Sequence, residues 1–387
     1  MVKVTVVLNV SNVKFGGGLQ VAISVINSLI VNDRNLSWHF IVSDQVFSQI
    51  FIPIGREKDF TICNVQPSKP LSLFNSFKII RTLELKLSVD VFFTLFGPGF
   101  YRPVRASHLI GFANAWLVEP QSKAYKIFPL WQRIRLKLKN FILKELLFNK
   151  NAFYVTETET VKKAFCKIYC IKELEQDTLI SVANNCVSPY FYEKSSSKFD
   201  YLLSEKRFKF LTVTHNYPHK NLKTISTVGN LLERLGFDAI FVVTLAENDY
   251  AKMDDCFKKY TINVGSVSVI DCPALYRVCN ALYLPTLIEC FTVSYLEAMV
   301  FNMPIATSDL DFARDLCGDS AFFFDPYDTN SIATILAQLV STYSLELKSS
   351  LAPVYKNNMA RFGDNEDRVD KYVSIINKIY NIQKTKY

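Results

Sequence analysis

The chain has 387 residues, which is enough for two domains of about 150–200 residues each. Hydrophobic residues make up 49% and charged residues 21% of the sequence, a composition that excludes a disordered chain. The net charge of +8 indicates an anionic partner. Because the sequence has neither a zinc-finger pattern nor a basic stripe interleaved with stacking aromatic residues, we expect no nucleic-acid partner.

The sequence also favours a cytoplasmic protein. It has no run of about 18 uncharged apolar residues, so we expect no membrane span. The first ten residues, MVKVTVVLNV, are typical of a strand and lack the cleavage site of a signal peptide. The nine cysteines are scattered without CxxC spacing, which argues against zinc and for a reducing compartment.

The first half of the chain alternates predicted strands with helices. Apolar residues three or four apart predict a helix over residues 19–31. Such alternation indicates a parallel sheet with helices on both faces. The predicted strands are residues 2–8, 39–42, 91–95, 108–112, 153–155 and 179–182.

A second series of the same kind begins near Phe208. Its predicted strands are 208–214, 239–245, 281–284, 305–307 and 321–324, and its predicted helices are 222–235, 275–278, 292–301 and 331–341. Residues 188–206 have the mixed polar composition of a linker.

We therefore predict an α/β protein with two Rossmann-like doubly wound domains that face a cleft. The predicted domains are residues 1–190 and 205–360, with a C-terminal helix at about 365–387 packing back on the first. Ligands in such sheets bind outside the carboxyl ends of the strands, so loops that follow strands carry the candidate residues.

The strongest such segment is 285–309, PTLIECFTVSYLEAMVFNMPIATSD. The free amides of Phe291, Thr292 and Val293 at the predicted helix start form a natural diphosphate site. Glu297, farther along the helix, is suited to accept hydrogen bonds from two ribose hydroxyls, and Glu289 to reach the group beyond the phosphates. The alternative is that Glu289 is a helix-start charge and Glu297 a solvated surface residue.

Two further segments follow predicted strands. In residues 210–222, FLTVTHNYPHKNL, Lys220 offers an ammonium group to a leaving diphosphate. Its alternative role is that of a solvated helix-start lysine, and His219 is expected to be an exposed loop residue. After the first strand, Gly16, Gly17 and Gly18 allow close approach of the backbone to a ligand, or form a plain flexible turn.

The order PTLIECF, LEAM, NMPIATSD and GDSAFFFDP, with Glu289 and Glu297 in an E-x7-E pattern, resembles the family 4 retaining glycosyltransferases, also described as glycosyl transferases group 1. The resemblance implies a GT-B fold, in which Glu289 contacts the donor sugar and Glu297 the nucleotide ribose. It also implies that the glycine-rich loop lies over the donor diphosphate and near the acceptor.

The sequence departs from the family pattern at three places. The family commonly has glycine where this chain has Thr292. It often pairs an arginine with the lysine, and here His215 or Asn216 stands in the arginine's place. The family histidine at a strand end has two candidates: His108, near the start of its predicted strand, and Asn114, beyond its far end; neither is settled by the sequence.

The DxD pattern at 309–311 is a metal signature in other glycosyltransferases, but this family uses no metal there, so we expect neither a metal nor a cofactor. Residues 123–150 carry eight basic residues beside an apolar helical stripe. The stripe has two explanations: a basic amphipathic helix that rests on an anionic membrane surface, or a stripe that packs on the core. The apolar residues are Ile127, Trp131, Ile134, Leu138, Phe141 and Ile142.

Together these patterns predict a retaining transferase that moves a hexose-type sugar from a nucleotide diphosphate donor to an acceptor hydroxyl. The expected acceptor is a saccharide, and the basic stretch favours a lipid-linked saccharide of bacterial surface-polysaccharide assembly at the inner membrane face. Two alternatives are a sugar-nucleotide epimerase of the same architecture and a transferase-like binding protein without turnover.

Overall fold

The computed structural model describes residues 3–14, 16–66 and 70–385. Val2 of the first predicted strand and Phe15 of the glycine-rich loop lie outside the described residues. The chain forms two compact units. The first consists of Met1–Pro120, Ile134–Asn185 and Asp364–Tyr387, and the second of Gln121–Arg133 and Cys186–Gly363.

The first unit contains a sheet of seven parallel strands in the order β3-β2-β1-β4-β5-β6-β7. The strands are β1 (Thr5–Val10), β2 (Ser37–Val42), β3 (Phe60–Ile62), β4 (Val91–Thr94), β5 (Ser107–Phe112), β6 (Phe153–Thr156) and β7 (Ile180–Val182). The helices up to β7 are α1 (Gly16–Val31), α2 (Asp44–Phe47), α3 (Pro70–Leu87), α4 (Ala115–Val118), α5 (Leu130–Leu147), α6 (Glu159–Tyr169) and α7 (Glu173–Leu179).

The second unit contains a sheet of six parallel strands in the order β10-β9-β8-β11-β12-β13. Its strands are β8 (Phe208–Thr212), β9 (Ala239–Val243), β10 (Thr261–Asn263), β11 (Ala281–Leu284), β12 (Ile305–Ser308) and β13 (Phe322–Phe324). The remaining helices are α8 (Thr224–Arg234), α9 (Glu247–Tyr250), α10 (Asp255–Lys259), α11 (Cys272–Val278), α12 (Val293–Val300), α13 (Asp311–Cys317), α14 (Thr329–Thr342), α15 (Leu345–Met359) and α16 (Asn365–Lys384).

Some strands, such as β9 and β11, are apolar along their whole length, as expected where helices cover both faces of a sheet. All five residues of β9, AIFVV, are buried, and so are all four of β11, ALYL. In each sheet the strand order reverses once, between β1 and β4 in the first unit and between β8 and β11 in the second. Ligands of doubly wound sheets bind at this reversal, outside the carboxyl ends of the strands.

Helix α16 closes the first unit although it comes from the far end of the chain. It begins with a capping box at Asp364 and packs against α1, and the ring of Tyr372 lies 5.1 Å from that of Phe93. Arg34 forms ion pairs with Glu366 and Asp370, which tie the start of α16 to the end of α1.

Three features differ from the sequence predictions. Strand β1 begins at Thr5, three residues later than predicted. Strands β3 and β10, each of three residues at a sheet edge, were not predicted, although the equally short edge strands β7 and β13 were. Residues 188–206 pack into the second unit instead of forming an open linker, with Phe191, Phe199 and Leu202 buried in its core.

Candidate active site

The loops that follow β8 and β11 meet at the strand-order reversal of the second unit. A single 3-10 turn, Pro218–Lys220, ends with Lys220, whose Nζ donates to Oε1 of Glu289 at 2.5 Å. The backbone nitrogen of Leu287 donates to the carbonyl of His219 at 2.8 Å, which joins the two loops directly. The structure thus brings together Lys220 and Glu289, which lie 69 residues apart in the sequence.

Glu289 is held by more than the lysine. The hydroxyl of Thr286 donates to the same Oε1 at 2.8 Å. The side chains of Lys220 and Glu289 are only 19% and 14% exposed, so both charges are largely removed from water. The interpretation of Lys220 as a solvated helix-start lysine is therefore wrong, whereas the alternative that Glu289 is a helix-start charge stays open. A mostly buried ion pair of this kind is sensitive to the loss of either partner.

His219 also belongs to this cluster, which the sequence analysis missed. Its side chain is largely buried, its Nε2 lies 3.9 Å from Oε1 of Glu289, and its ring stacks on Tyr217 at 5.6 Å. Burial lowers the pKa of His219, and the charge of Glu289 opposes that shift. The only sequence signal for His219 was its position beside Lys220 in a loop that follows a strand.

The first turn of α12 lies next along the chain after Glu289. Thr292 precedes the helix in an extended conformation, and its side chain makes no capping hydrogen bond. Its Oγ1 is buried and has no hydrogen-bond partner in the part of the chain that the structure describes. Phe291 and Val293 flank it, so the three predicted amides do lie at a helix start, where the positive end of the helix dipole favours an anion.

Glu297 lies on α12 and is buried, so the alternative that it is a solvated surface residue is wrong. Its Oε2 accepts a hydrogen bond from the hydroxyl of Tyr276 on α11 at 2.6 Å. Burial raises the pKa of Glu297 to about 7, against the opposing hydrogen bonds from Tyr276 and Ser294. The sequence analysis did not single out Tyr276, because its hydrogen bond to Glu297 depends on how α11 and α12 pack.

His215 and Asn216 lie on the loop after β8 and are exposed. The ring of His215 lies 5.9 Å from that of Tyr217. No hydrogen bond links either side chain to Lys220 or Glu289 among the contacts that the structure describes. The structure therefore places His215 and Asn216 on the same loop as Lys220 but does not bring their side chains to the carboxylate of Glu289.

Gly16, Gly17 and Gly18 form the first turn of α1, at the strand-order reversal of the first unit. Gly16 has a φ of 72°, a conformation that favours glycine. A Cβ at Gly18 would lie 3.5 Å from the ring of Phe96, in the loop after β4. Asn12 donates to the carbonyl of Phe96 at 2.8 Å, so the loops after β1 and β4 are in contact.

His108 and Asn114 lie at opposite ends of β5. His108, second in the strand, is buried, and its Nε2 lies 2.9 Å from the hydroxyl of Thr94. Burial lowers the pKa of His108 to about 3, so its ring is neutral. Asn114 lies beyond the carboxyl end of the strand and precedes α4. Of the two candidates, Asn114 is therefore at the end of the sheet where ligands bind.

The DxD segment serves a structural purpose. Asp309 accepts two hydrogen bonds from Arg314, at 2.7 and 3.0 Å, and Asp311 begins α13. Across the described ranges, no three His, Cys, Asp or Glu side chains are grouped closely enough to hold a metal ion.

Two doubly wound parallel sheets with helices on their faces are the architecture of the GT-B fold. Residues 193–352 match the family model of glycosyl transferases group 1, which confirms the resemblance to that group over this part of the chain.

Individual proteins are also similar to this chain, and the solved structures among them share its fold. The chain is 26% identical over 184 residues to the O-antigen chain mannosyltransferase RfbU of Salmonella typhimurium; the alignment covers 46% of this chain and 48% of that protein, about half its length. A glycosyltransferase from Rickettsia africae superposes with a TM-score of 0.73 at 14% identity, covering 98% of this chain and 99% of that one. Anabaena HepE in complex with UDP-glucose superposes with a TM-score of 0.65 at 15% identity, and the superposition covers 98% of this chain and 99% of that one.

Proposed function

We propose that this protein is a retaining glycosyltransferase that moves a hexose from a nucleotide diphosphate donor to an acceptor hydroxyl. The observation that carries the proposal is the Lys220–Glu289 pair beside the first turn of α12, at the strand-order reversal of the second unit. A cation, a carboxylate and a helix N-terminus at one point are suited to a diphosphate that bears a sugar.

Each group has a part in binding the donor. The first amides of α12 and the ammonium of Lys220 bind the diphosphate. Glu289 positions the sugar hydroxyls, and the carboxylate of Glu297 accepts hydrogen bonds from the ribose. Because Lys220 is paired with Glu289 before the donor arrives, binding shifts its ammonium from the carboxylate toward a phosphate oxygen, or lets it bridge the two.

The transfer itself needs no protein nucleophile. The bond between the anomeric carbon and the phosphate oxygen breaks, and the acceptor oxygen bonds to the same face of that carbon. The acceptor's proton goes to the departing phosphate oxygen. Lys220 and the α12 amides stabilise the charge that develops on the diphosphate, which is the largest contribution that such a site makes.

For the acceptor we propose a lipid-linked saccharide of bacterial surface polysaccharide, with the enzyme working at the cytoplasmic face of a membrane. The likeness to an O-antigen chain mannosyltransferase supports this class of acceptor, and the HepE complex with UDP-glucose supports a nucleotide-sugar donor.

The test is to screen the full chain against uridine and guanosine diphosphate sugars by thermal shift, because a ligand that binds only the native state raises the melting temperature. The donor that binds is then incubated with a lipid-linked saccharide, and the anomeric configuration of the product is read by NMR. The proposal predicts a product with the donor's configuration. Inversion, donor interconversion without acceptor, or binding without transfer or donor hydrolysis would each contradict it.

A further inference from the structure

Helix α5 exposes a continuous apolar face. Six of its large apolar side chains are between 47% and 70% exposed. Their spacing of one, three and four residues places them on one side of the helix. Less exposed side chains, including Leu136, Asn140 and Leu143, lie on the other side. The exposed residues are Leu130, Trp131, Ile134, Leu138, Phe141 and Ile142. The explanation of this stripe as a core-packing face is therefore wrong.

Basic side chains border this apolar face on both sides. At 100° per residue, Arg135 and Lys139 lie along one edge and Lys137 along the other, and all three are exposed. Arg133 and Lys144 lie on the same side as Lys137 and are partly covered. The helix has one acidic residue, Glu145. A partner that covers this face must therefore offer an apolar interior bordered by negative charge.

A bilayer with anionic headgroups has that arrangement. The helix cannot cross it: no helix in the described ranges is long and apolar enough to span a membrane. With 18 residues it is about 27 Å long, sufficient to lie along the interface. In that position the apolar side chains enter the acyl boundary, while long basic side chains reach the headgroups on either side.

We propose that the exposed face of α5 binds the surface of an anionic lipid bilayer, with the helix axis parallel to the membrane plane. This deepens the proposed function, because it brings the enzyme to the surface that carries a lipid-linked acceptor. It is carried by a different observation from the donor site.

The direct test is co-sedimentation of the full chain with vesicles. One set is phosphatidylcholine alone, and the other contains about one third phosphatidylglycerol. We expect binding to the anionic vesicles that weakens in high salt, with a blue shift of tryptophan emission, since Trp131 is exposed and Trp38 is buried. Equal binding to both vesicles, or to neither, would overturn the proposal.

Two variants separate the contributions of charge and apolar surface. Arg135→Gln/Lys137→Gln/Lys139→Gln should weaken binding roughly 100-fold, at about fivefold for each basic residue near an anionic surface. Trp131→Gln/Phe141→Gln should abolish binding and leave the melting temperature near that of the wild type, because both side chains are mostly in solvent. A matched control, Lys163→Gln/Lys206→Gln/Lys371→Gln, changes the net charge equally at exposed sites elsewhere and should bind like the wild type.

The remaining outcomes are also decisive. If the wild type is a dimer in solution and Trp131→Gln/Phe141→Gln is a monomer, the face joins two copies of the chain and the lipid proposal fails. If the control loses as much binding as the α5 charge variant, the attraction is one of overall charge and the proposal again fails. Donor binding, measured by thermal shift without lipid, should be unchanged in every variant, so failure of either proposal leaves the other standing.

Discussion

At the scale of single residues, the site depends on charges that are paired and mostly out of water. Lys220 and Thr286 both donate a hydrogen bond to Oε1 of Glu289, and His219 lies beside this oxygen. An ammonium in these surroundings acts on a phosphate oxygen more strongly than it would in bulk water, because less solvent screens it. Lys220 therefore has a larger effect on donor binding than an exposed lysine in the same segment.

Lys220→Met removes that charge and keeps most of the side chain's volume. We expect affinity for the nucleoside diphosphate to fall by about tenfold or more, as for the loss of one charge-assisted hydrogen bond. Turnover should fall by roughly 100-fold or more. Calorimetry and initial rates measure the two effects. The matched control is Lys223→Met, an exposed lysine three residues further on, which should behave like the wild type. Equal donor affinity in both variants would contradict the role of Lys220.

Glu297 gives the site a pH dependence. Its pKa is raised to about 7, so the folded protein holds a proton there that the unfolded chain has released. This favours folding at low pH, and the stability it gives is lost as the pH rises from about 4.5 to about 7. Ribose binding uses the carboxylate, so affinity for the nucleotide sugar should fall by up to about tenfold per pH unit below pH 7. Calorimetry across this pH range should show the fall in affinity with the wild type and not with Glu297→Gln. If the affinity of the variant falls as steeply, Glu297 is not the carboxylate that binds the ribose.

The sequence analysis singled out Lys220, Glu289 and Glu297 as candidates because each lies near a predicted strand end or helix start and matches the family pattern; their roles in donor binding stay predictions. It missed His219 and Tyr276, since their importance depends on burial against residues far away in the chain. For Glu297 the sequence analysis also allowed a solvated surface residue, because spacing alone does not show whether a carboxylate is buried. Whether His215 and Asn216 bind the donor stays a prediction.

At the scale of elements, α12 is the helix on which the donor site depends. The family pattern that the sequence resembles implies glycine at its start, and this chain has Thr292. The hydroxyl of Thr292 neither caps the helix nor finds another partner among the described residues. A buried hydroxyl without a hydrogen bond destabilises the protein, so a ligand oxygen that accepts from it would remove that penalty.

Thr292→Val keeps the shape and removes the hydroxyl. We expect the unliganded protein to gain about 1 kcal/mol of stability, while affinity for the nucleoside diphosphate falls about fivefold to tenfold. Chemical unfolding and calorimetry measure these opposite effects, and Thr292→Ser should keep wild-type affinity. If Thr292→Val binds as tightly as the wild type, the hydroxyl does not contact the ligand. If Thr292→Gly binds more tightly, the side chain crowds the site instead.

The elements that were predicted agree with the structure within two or three residues, as for α14 and β11. The long helices α3 and α15 and the short edge strands β3 and β10 were not predicted, so length alone did not decide which elements were found. The face of α5 was left with two explanations, since periodicity shows that a helix has an apolar side but not what covers it. Its exposure decides against packing on the core.

At the scale of the whole molecule, the alternation of strands and helices correctly predicted an α/β protein built on two parallel sheets. The order of strands within each sheet could not be read from the alternation, and it is this order that places the loops after β8 and β11 side by side. The assignment of α16 to the first unit depends on contacts with α1, which comes more than 300 residues earlier.

The most direct test of the account is hydrogen–deuterium exchange of the full chain with and without the nucleoside diphosphate that binds it. If the donor binds where Lys220, Glu289 and the start of α12 meet, protection in the second unit should be concentrated in residues 213–222 and 285–297. Protection that spares both segments and falls on other parts of the second unit, such as β10 and its neighbours, would contradict the central claim.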